Sequence, residues 1–229
     1  MESKREAAKS ERRQRIIVAA RELIRETGDA GLSMRALAAR AGVSLATPYN
    51  LFGSKRAVLL AVLEDIKGFG HRFASYGTLN PLDKLLRAAE LAISYYEKDP
   101  VFYRVLWTSV LAAAGAEERD AIFNPKRQAF WIRLLDEASA AGLLMEGIDT
   151  NLLLRSLDYS FRSVMLHWVI GEIEVENLQA AAGLGYALAL RGAASAEGQA
   201  LLTERVFAFQ RALSEGTAPK KGAVAEEVS

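Results

Sequence analysis

Between residues 33 and 55, SMRALAARAGVSLATPYNLFGSK, the chain gathers side chains suited to gripping a polyanion and reading the edges of bases. Thr47 and Tyr49 carry hydroxyls able to donate to phosphate oxygens, Lys55 is a point charge, and Arg35 offers a planar fork of donors. Asn50 has the amide geometry that pairs bidentately with adenine, while Leu45 and Ala46 can touch a thymine methyl. Ser33 and Ser44 are hydroxyl residues placed to cap the helices that would present these groups. No arginine lies in the reading segment itself, so strong guanine readout would fall to Arg35. The bland alternative is a partly buried helical hairpin that meets no nucleic acid.

Presenting such a set takes two short helices. Met34, Leu37, Ala38 and Ala41 recur at helical spacing, with Arg35 and Arg40 turned away from that face. Gly42 can adopt a positive φ at a helix C-terminus, and Val43 can drop back into the core. Helices separated by so short a turn cross steeply, which frees the second to enter a major groove roughly 12 Å wide. Pro48 leaves two starts open for that second helix. Either Ser44 caps it and Pro48 sits late in the first turn, the reading favoured here, or Thr47 caps it and Pro48 is the first helical residue. Ser54 caps the next helix, whose N-terminus adds its own attraction for an anion beside Lys55.

These residues resemble the TetR-type family of helix-turn-helix transcriptional regulators. The likeness lies in Ser33-x-Arg35-x-x-Ala38-x-x-Ala41-Gly42-Val43-Ser44, then Thr47-x-Tyr49-x-x-Phe52, then Ser54-Lys55 leading into the apolar run from Ala57 to Leu63. It covers residues 12 to 65 or so, and Pro48 stands where the family commonly carries an apolar, helix-compatible residue. The resemblance implies that Arg35, Thr47, Tyr49 and Lys55 contact double-stranded DNA. It further implies a homodimer closed by a four-helix bundle, mapped here onto residues 150 to 190, and a pocket for a small-molecule effector.

Composition bounds the rest. Of 229 residues, 51% are hydrophobic and 25% charged, with five prolines, which fits an all-α globular chain with a substantial core. Cysteine is absent, so disulfides and thiolate metal sites are excluded. The charged start MESKREAAKSERRQR is unlike a signal peptide and the apolar runs fall short of a bilayer span, so a cytoplasmic location without membrane is the expectation. A net charge of +1 conceals asymmetry: residues 1 to 60 hold twelve Lys/Arg and six Asp/Glu, leaving seventeen against twenty-two for the remainder. The basic end coincides with the paired helices, where phosphate attraction is of use.

In order, residues 1 to 10 read as polar and mobile, with Lys4, Arg5, Lys9, Arg12 and Arg13 forming a basic arm. A helix from Glu11 to Glu26 buries Ile16, Ile17, Ala20, Leu23 and Ile24, and the turn over residues 27 to 31 lacks the strand and lysine of a phosphate loop. Residues 55 to 67 form a connecting helix, and 68 to 80 a loosened connection. Further helices are expected over 81 to 98, over 101 to 114 with burial on all sides, and from Lys126 to Gly142. Three more follow over 149 to 170, 174 to 190 and 197 to 214. The small face of Ala180, Ala181, Gly183 and Ala187 invites close helix packing. The domains expected are a helix-turn-helix domain with its basic arm over 1–55, an effector and dimerisation domain over 56–215, and a disordered tail over 216–229.

Aromatic and polar-tipped side chains crowd the middle helices: Phe102, Tyr103, Trp107, Phe123, Phe130, Trp131, Tyr159, Phe161, Met165, His167 and Trp168. Helix bundles hold ligands among such residues, although rings at helical spacing also simply build cores. His167, alone among apolar neighbours, reads as a hydrogen-bonded helix residue rather than a catalyst or metal ligand. No nucleophile elbow, zinc-protease motif or obligatory carboxylate pair occurs, so no enzyme activity, cofactor or metal is expected. The function expected is a sequence-specific regulator, a repressor released from a palindromic operator by a small, largely apolar effector. The alternative is a helical carrier or enzyme that retains the helix-turn-helix as scaffold.

Overall fold

The computed structural model describes residues 4–28, 31–64, 69–112 and 125–216. Among them the chain is helical, with one isolated antiparallel bridge between Leu144 and Ala194. Helix α1 (Lys4–Thr27) is followed by α2 (Met34–Arg40), α3 (Ala46–Phe52) and α4 (Lys55–Glu64). Then come α5 (Phe69–Ala74), α6 (Pro81–Lys98), α7 (Pro100–Ala112) and α8 (Pro125–Ala140). A 3₁₀ turn (Val175–Asn177) separates α9 (Thr150–Val169) from α10 (Leu178–Gly192), and α11 (Ala196–Gly216) ends the described chain.

α1 starts seven residues before the expected Glu11, so the basic arm is helical from Lys4 onward. Its Lys, Arg, Glu and Ala residues are strong helix formers, and propensity carries the helix beyond its apolar face. That face buries Ile16, Ile17, Ala19, Ala20, Leu23 and Ile24 against α2 and α4. α4 is the hinge of the architecture. Val58, Leu59, Leu60, Val62 and Leu63 are buried, and the helix packs on α1 to one side and α7 to the other. The same apolar cluster therefore runs from the N-terminal helices into the remainder of the chain.

The loosened connection after residue 68 contains α5. Phe69 and Phe73, one turn apart, dock on Phe130 with ring centroids 5.7 and 4.9 Å away, which gives this short helix an anchor. α6 begins as its sequence dictates: Pro81 occupies the first turn and the Asn80 side chain accepts from the Asp83 N–H at 2.9 Å. α7 departs from the expectation of burial on all sides. Phe102, Tyr103, Leu106, Trp107 and Val110 face inward, whereas Val101 is 77% exposed and Arg104 and Thr108 face solvent. α9 is capped by Asp149, which accepts from the Asn151 and Leu152 amides.

The last two helices pack closely. A Cβ on Gly183 would lie 2.4 Å from the Phe209 ring, and one on Gly198 would lie 2.2 Å from the Leu143 carbonyl oxygen. Arg205 of α11 donates to both oxygens of Asp83 at 2.7 and 2.8 Å, tying the last helix to the start of α6. Ile66, Glu117, Glu118, Phe123 and Asn124 lie outside the described residues. So does the tail beyond Gly216. No described helix is long and apolar enough to cross a membrane.

Candidate functional site

The paired helices have the geometry expected of them at the first cap and a different one at the second. Ser33 accepts from the Ala36 N–H at 3.1 Å, and Gly42 takes φ 63° after α2. Ser44 does not cap a backbone amide. In a regular helix its carbonyl would accept from residue 48, but Pro48 has no N–H, so the carbonyl accepts from Thr47 at 2.9 Å instead. The Ser44 hydroxyl pairs with that of Thr47 at 2.9 Å, and Leu45 already has helical dihedrals. Pro48 is thus neither cap nor first residue. It lies in the first turn of α3 and points into the core as the buried residue of that helix.

Burial of Pro48 fixes what faces outward. Leu45 (46% exposed), Ala46, Tyr49 (53%) and Asn50 follow the i, i+1, i+4, i+5 pattern of one helix face, and all four are exposed. Leu51 and Phe52 are half-buried on the other side. Arg35 stands exposed near the N-terminus of α2. Beyond Gly53, which takes φ 80°, the Ser54 hydroxyl accepts from the Ala57 N–H at 3.1 Å and caps α4. Lys55, half-buried, occupies the first position of that helix.

Two arginines hold this unit together, and one was assigned to the arm. Arg13 donates to the Leu51 carbonyl at 3.1 Å and lays its guanidinium over Phe52 at 4.2 Å, meeting a carbonyl at the end of α3 from α1. Arg40 donates to both oxygens of Glu26 and to Glu22, locking α2 on α1. That hydrogen bonding lowers the Glu26 pKa and raises that of Arg40.

The aromatic residues expected to line a ligand site divide into groups. Tyr103, Trp107, Trp131, Phe161, Met165 and Trp168 are buried around Tyr96 and Tyr186. Tyr96 lies 4.8 Å from Tyr103 and 6.3 Å from both Trp107 and Trp168, ring centre to ring centre. Tyr186 lies 6.3 Å from both Trp131 and Phe161. Phe102 is buried but turned toward α1, beneath Arg21 and Arg25. Phe130 belongs to the cluster under α5. Tyr159, 62% exposed, falls off the buried stripe of α9, and His167 bonds Glu172 on the outer surface at 2.5 Å.

Polar groups that the sequence reading passed over sit inside the aromatic shell. Asp158, 6% exposed, forms an ion pair with Arg162 at 2.5 Å through one oxygen, and burial raises its pKa against the opposing pull of the arginine. Burial likewise raises the pKa of Tyr96 and of Tyr186, with Arg127 acting in the opposite direction on both. The signal was available: Asp158 lies on the same helical stripe as Leu154, Leu157, Phe161, Met165 and Trp168, a place where an unpartnered acid is costly.

Besides α4, this aromatic cluster and the paired helices are linked by a junction between α1 and α7. Arg25 donates to Asp99 at 3.2 and 2.8 Å, Arg21 donates to the Val62 carbonyl at 3.2 Å, and both guanidinium groups stand over Phe102. Asp99 and Phe102 flank the start of α7, the helix that carries Tyr103 and Trp107 inward.

The sequence model of the family described as bacterial regulatory proteins, tetR family, matches residues 16–62. No curated protein matches the chain. Solved structures with the same fold include full-length TylP, a TetR regulator from Streptomyces fradiae, at 19% identity and TM-score 0.59, covering 94% of this chain and 95% of that one. A TetR transcriptional regulator from Rhodococcus sp. RHA1 shares 23% identity at TM-score 0.58, covering 78% and 95%. SmeT, the repressor of the Stenotrophomonas maltophilia multidrug efflux pump SmeDEF, shares 22% at TM-score 0.56, covering 80% and 91%. The chain carries the helix-turn-helix of the TetR-type regulators on the all-helical fold of that family.

Proposed function

We propose that the protein is a homodimeric, sequence-specific DNA-binding regulator, a repressor that leaves a palindromic operator when a small, largely apolar effector enters the helical domain. The observation that carries this reading is the outward face of α3. Leu45, Ala46, Tyr49 and Asn50 are exposed together on a helix clamped from behind by Pro48, Arg13 and Phe52. An exposed Leu and Tyr on so rigid a support gain nothing in water and suit a groove. Tyr49, Thr47 and Lys55 take phosphates, with Arg35, Ser33 and Ser44 at the edge. Asn50, Leu45 and Ala46 read bases.

The division of labour follows the sequence boundaries, with DNA binding over 1–55 and effector binding and dimerisation over 56–215. Leu152, Tyr159 and Leu166, at intervals of seven on α9, are 58%, 62% and 44% exposed, and Leu188 of α10 is 53% exposed. That apolar stripe supports the assignment of the dimer contact to residues 150 to 190. A two-fold dimer sets its reading helices in successive major grooves about 34 to 36 Å apart. The effector chamber is the shell of Tyr103, Trp107, Trp131, Phe161, Met165 and Trp168, and a ligand that fits better when the reading helices are wrongly spaced releases the DNA. A regulator acting in this way works in the cytoplasm.

The test is selection of duplexes from a random pool by the purified protein, with retention followed against salt. A palindrome recovered with a steep salt slope is the expected result. Failure of the folded protein to enrich any sequence at low salt would instead favour a carrier or enzyme built around the chamber.

A further inference from the structure

The aromatic cluster holds buried polar atoms that have no hydrogen-bond partner among the described residues. Trp107 and Trp168, 1% and 0% exposed, each have an indole N–H with no partner, and the second oxygen of Asp158 has none either. The Tyr96 hydroxyl lies close enough to Trp107 and Arg127 to feel both, yet completes no hydrogen bond. Native interiors hold few such atoms, and each calls for an explanation. Here they gather within one shell. Both indoles stand 6.3 Å from the Tyr96 ring, and Asp158 and Tyr96 both act on Tyr186.

The types of group define the occupant. An indole N–H can only donate, so two of them require two acceptor atoms on the ligand. They are neutral, which suits carbonyl oxygens. The walls are rings, with Tyr96 and Trp168 parallel to within 6° and Trp107 and Phe161 edge to face at 5.7 Å, so flat π-surfaces gain more here than flexible alkyl chains. Asp158, on the same buried stripe of α9 as Phe161 and Trp168, has one oxygen without a partner among the described residues, able to accept from a hydroxyl.

We infer that the effector is a flat, fused-ring aromatic ketone bearing two carbonyl-type oxygens for the indoles of Trp107 and Trp168 and a hydroxyl for Asp158. This inference deepens the effector reading above and rests on it. Entry of such a molecule parts α9 from α6 and α7, because the rings that would hold it now pack on one another across those helices. α7 begins at the Arg25–Asp99 junction, so the parting is felt at the base of α1.

The experiment uses the full-length protein and three probes: 1,8-dihydroxyanthraquinone, anthracene with the same rings and no oxygen, and decanoate as a flexible chain. Binding is read by equilibrium dialysis and by quenching of the indole fluorescence, to which Trp107, Trp131 and Trp168 contribute. The expected result is tightest binding of the hydroxyquinone. Trp168→Phe, which keeps a ring and removes the N–H, and Asp158→Asn each weaken it about three- to ten-fold, the worth of one hydrogen bond, while anthracene binding changes less. Thermal unfolding identifies a variant that has lost its fold, and the other then carries the test. Tighter binding of anthracene or decanoate, or hydroxyquinone affinity unchanged in both folded variants, overturns the aromatic ketone and leaves the chamber as an effector site. Absence of binding by all three probes overturns the ketone and counts against the chamber itself.

Discussion

At the scale of single residues, the side chains proposed to meet DNA and those proposed to meet an effector are separable by what each should do when removed. Lys55 sits at a capped helix start, so Lys55→Ala should weaken binding to all duplexes alike and make the salt slope shallower by about one unit. A slope that stays unchanged removes Lys55 from the phosphate contacts. Asn50→Ala should instead relax preference at one base pair, by about 1 to 3 kcal/mol if the amide pairs bidentately. Equal loss on every sequence would show that it reads no base. Asp158 answers to pH. Its carboxyl has a pKa raised chiefly by burial, so the folded protein holds that proton to higher pH than the unfolded chain does. The resulting stabilisation is present below the ordinary carboxylate value of 3.8 and is lost as pH rises through the raised value. Urea unfolding from pH 4 to 8 should therefore show the native protein losing stability relative to Asp158→Asn as pH rises. A gap independent of pH, or one that opens the other way, would contradict the burial argument. The paired helices of the N-terminal module and their exposed face were legible because residue types recur there at fixed spacing. The chamber was less so, since a list of rings does not say that Phe161 turns inward and Tyr159, two residues earlier, outward.

Elements were legible where an apolar period marks them, as over 81 to 98 and 149 to 170, and illegible where propensity or a distant contact decides. The start of α1 is a case of propensity, and α5 exists through its contact with Phe130. Glycines show the same dependence on what lies opposite. Gly198, near the start of α11, has no room for a Cβ, which would meet the Leu143 backbone carbonyl at 2.2 Å, whereas Gly192 at the end of α10 has nothing within 4 Å and no positive φ. Helix propensity favours alanine at either site by up to about 1 kcal/mol. At Gly198 the clash is with backbone, which costs about 1 to 3 kcal/mol for overpacking and outweighs that gain. Gly198→Ala should lower Tm by several degrees and Gly192→Ala should leave it level or raise it slightly. The opposite order in thermal unfolding would mean that α11 slides to admit a methyl group and that its contact with the 143–145 turn is loose.

For the whole molecule, the question is how an effector held in the aromatic cluster, as proposed, would reach the DNA-binding helices. α4 packs on both α1 and α7 and is one route. A second runs outside it, from Asp99 and Phe102 at the head of α7 to Arg25 and Arg21 of α1, and no sequence pattern announced it because the partners are 74 residues apart. The pair is half open to solvent, Arg25 at 53% and Asp99 at 35%, so it adds little to stability, roughly 0 to 1 kcal/mol. Position matters more than energy here. The Arg25 fork fixes where the C-terminal end of α1 stands over α7, and α1 in turn holds α2 through Arg40 and α3 through Arg13. Arg25→Ala should therefore move Tm by no more than about 2 to 4 °C while speeding hydrogen exchange at the amides from Asp99 to Tyr103. Once the operator is known, the same variant should bind it nearly as tightly as the native protein in the absence of ligand and respond less to any molecule that fills the chamber, because loosening the junction lowers the coupling between the two sites and leaves each site intact. Full release of the operator by such a molecule from Arg25→Ala would assign the coupling to α4 alone.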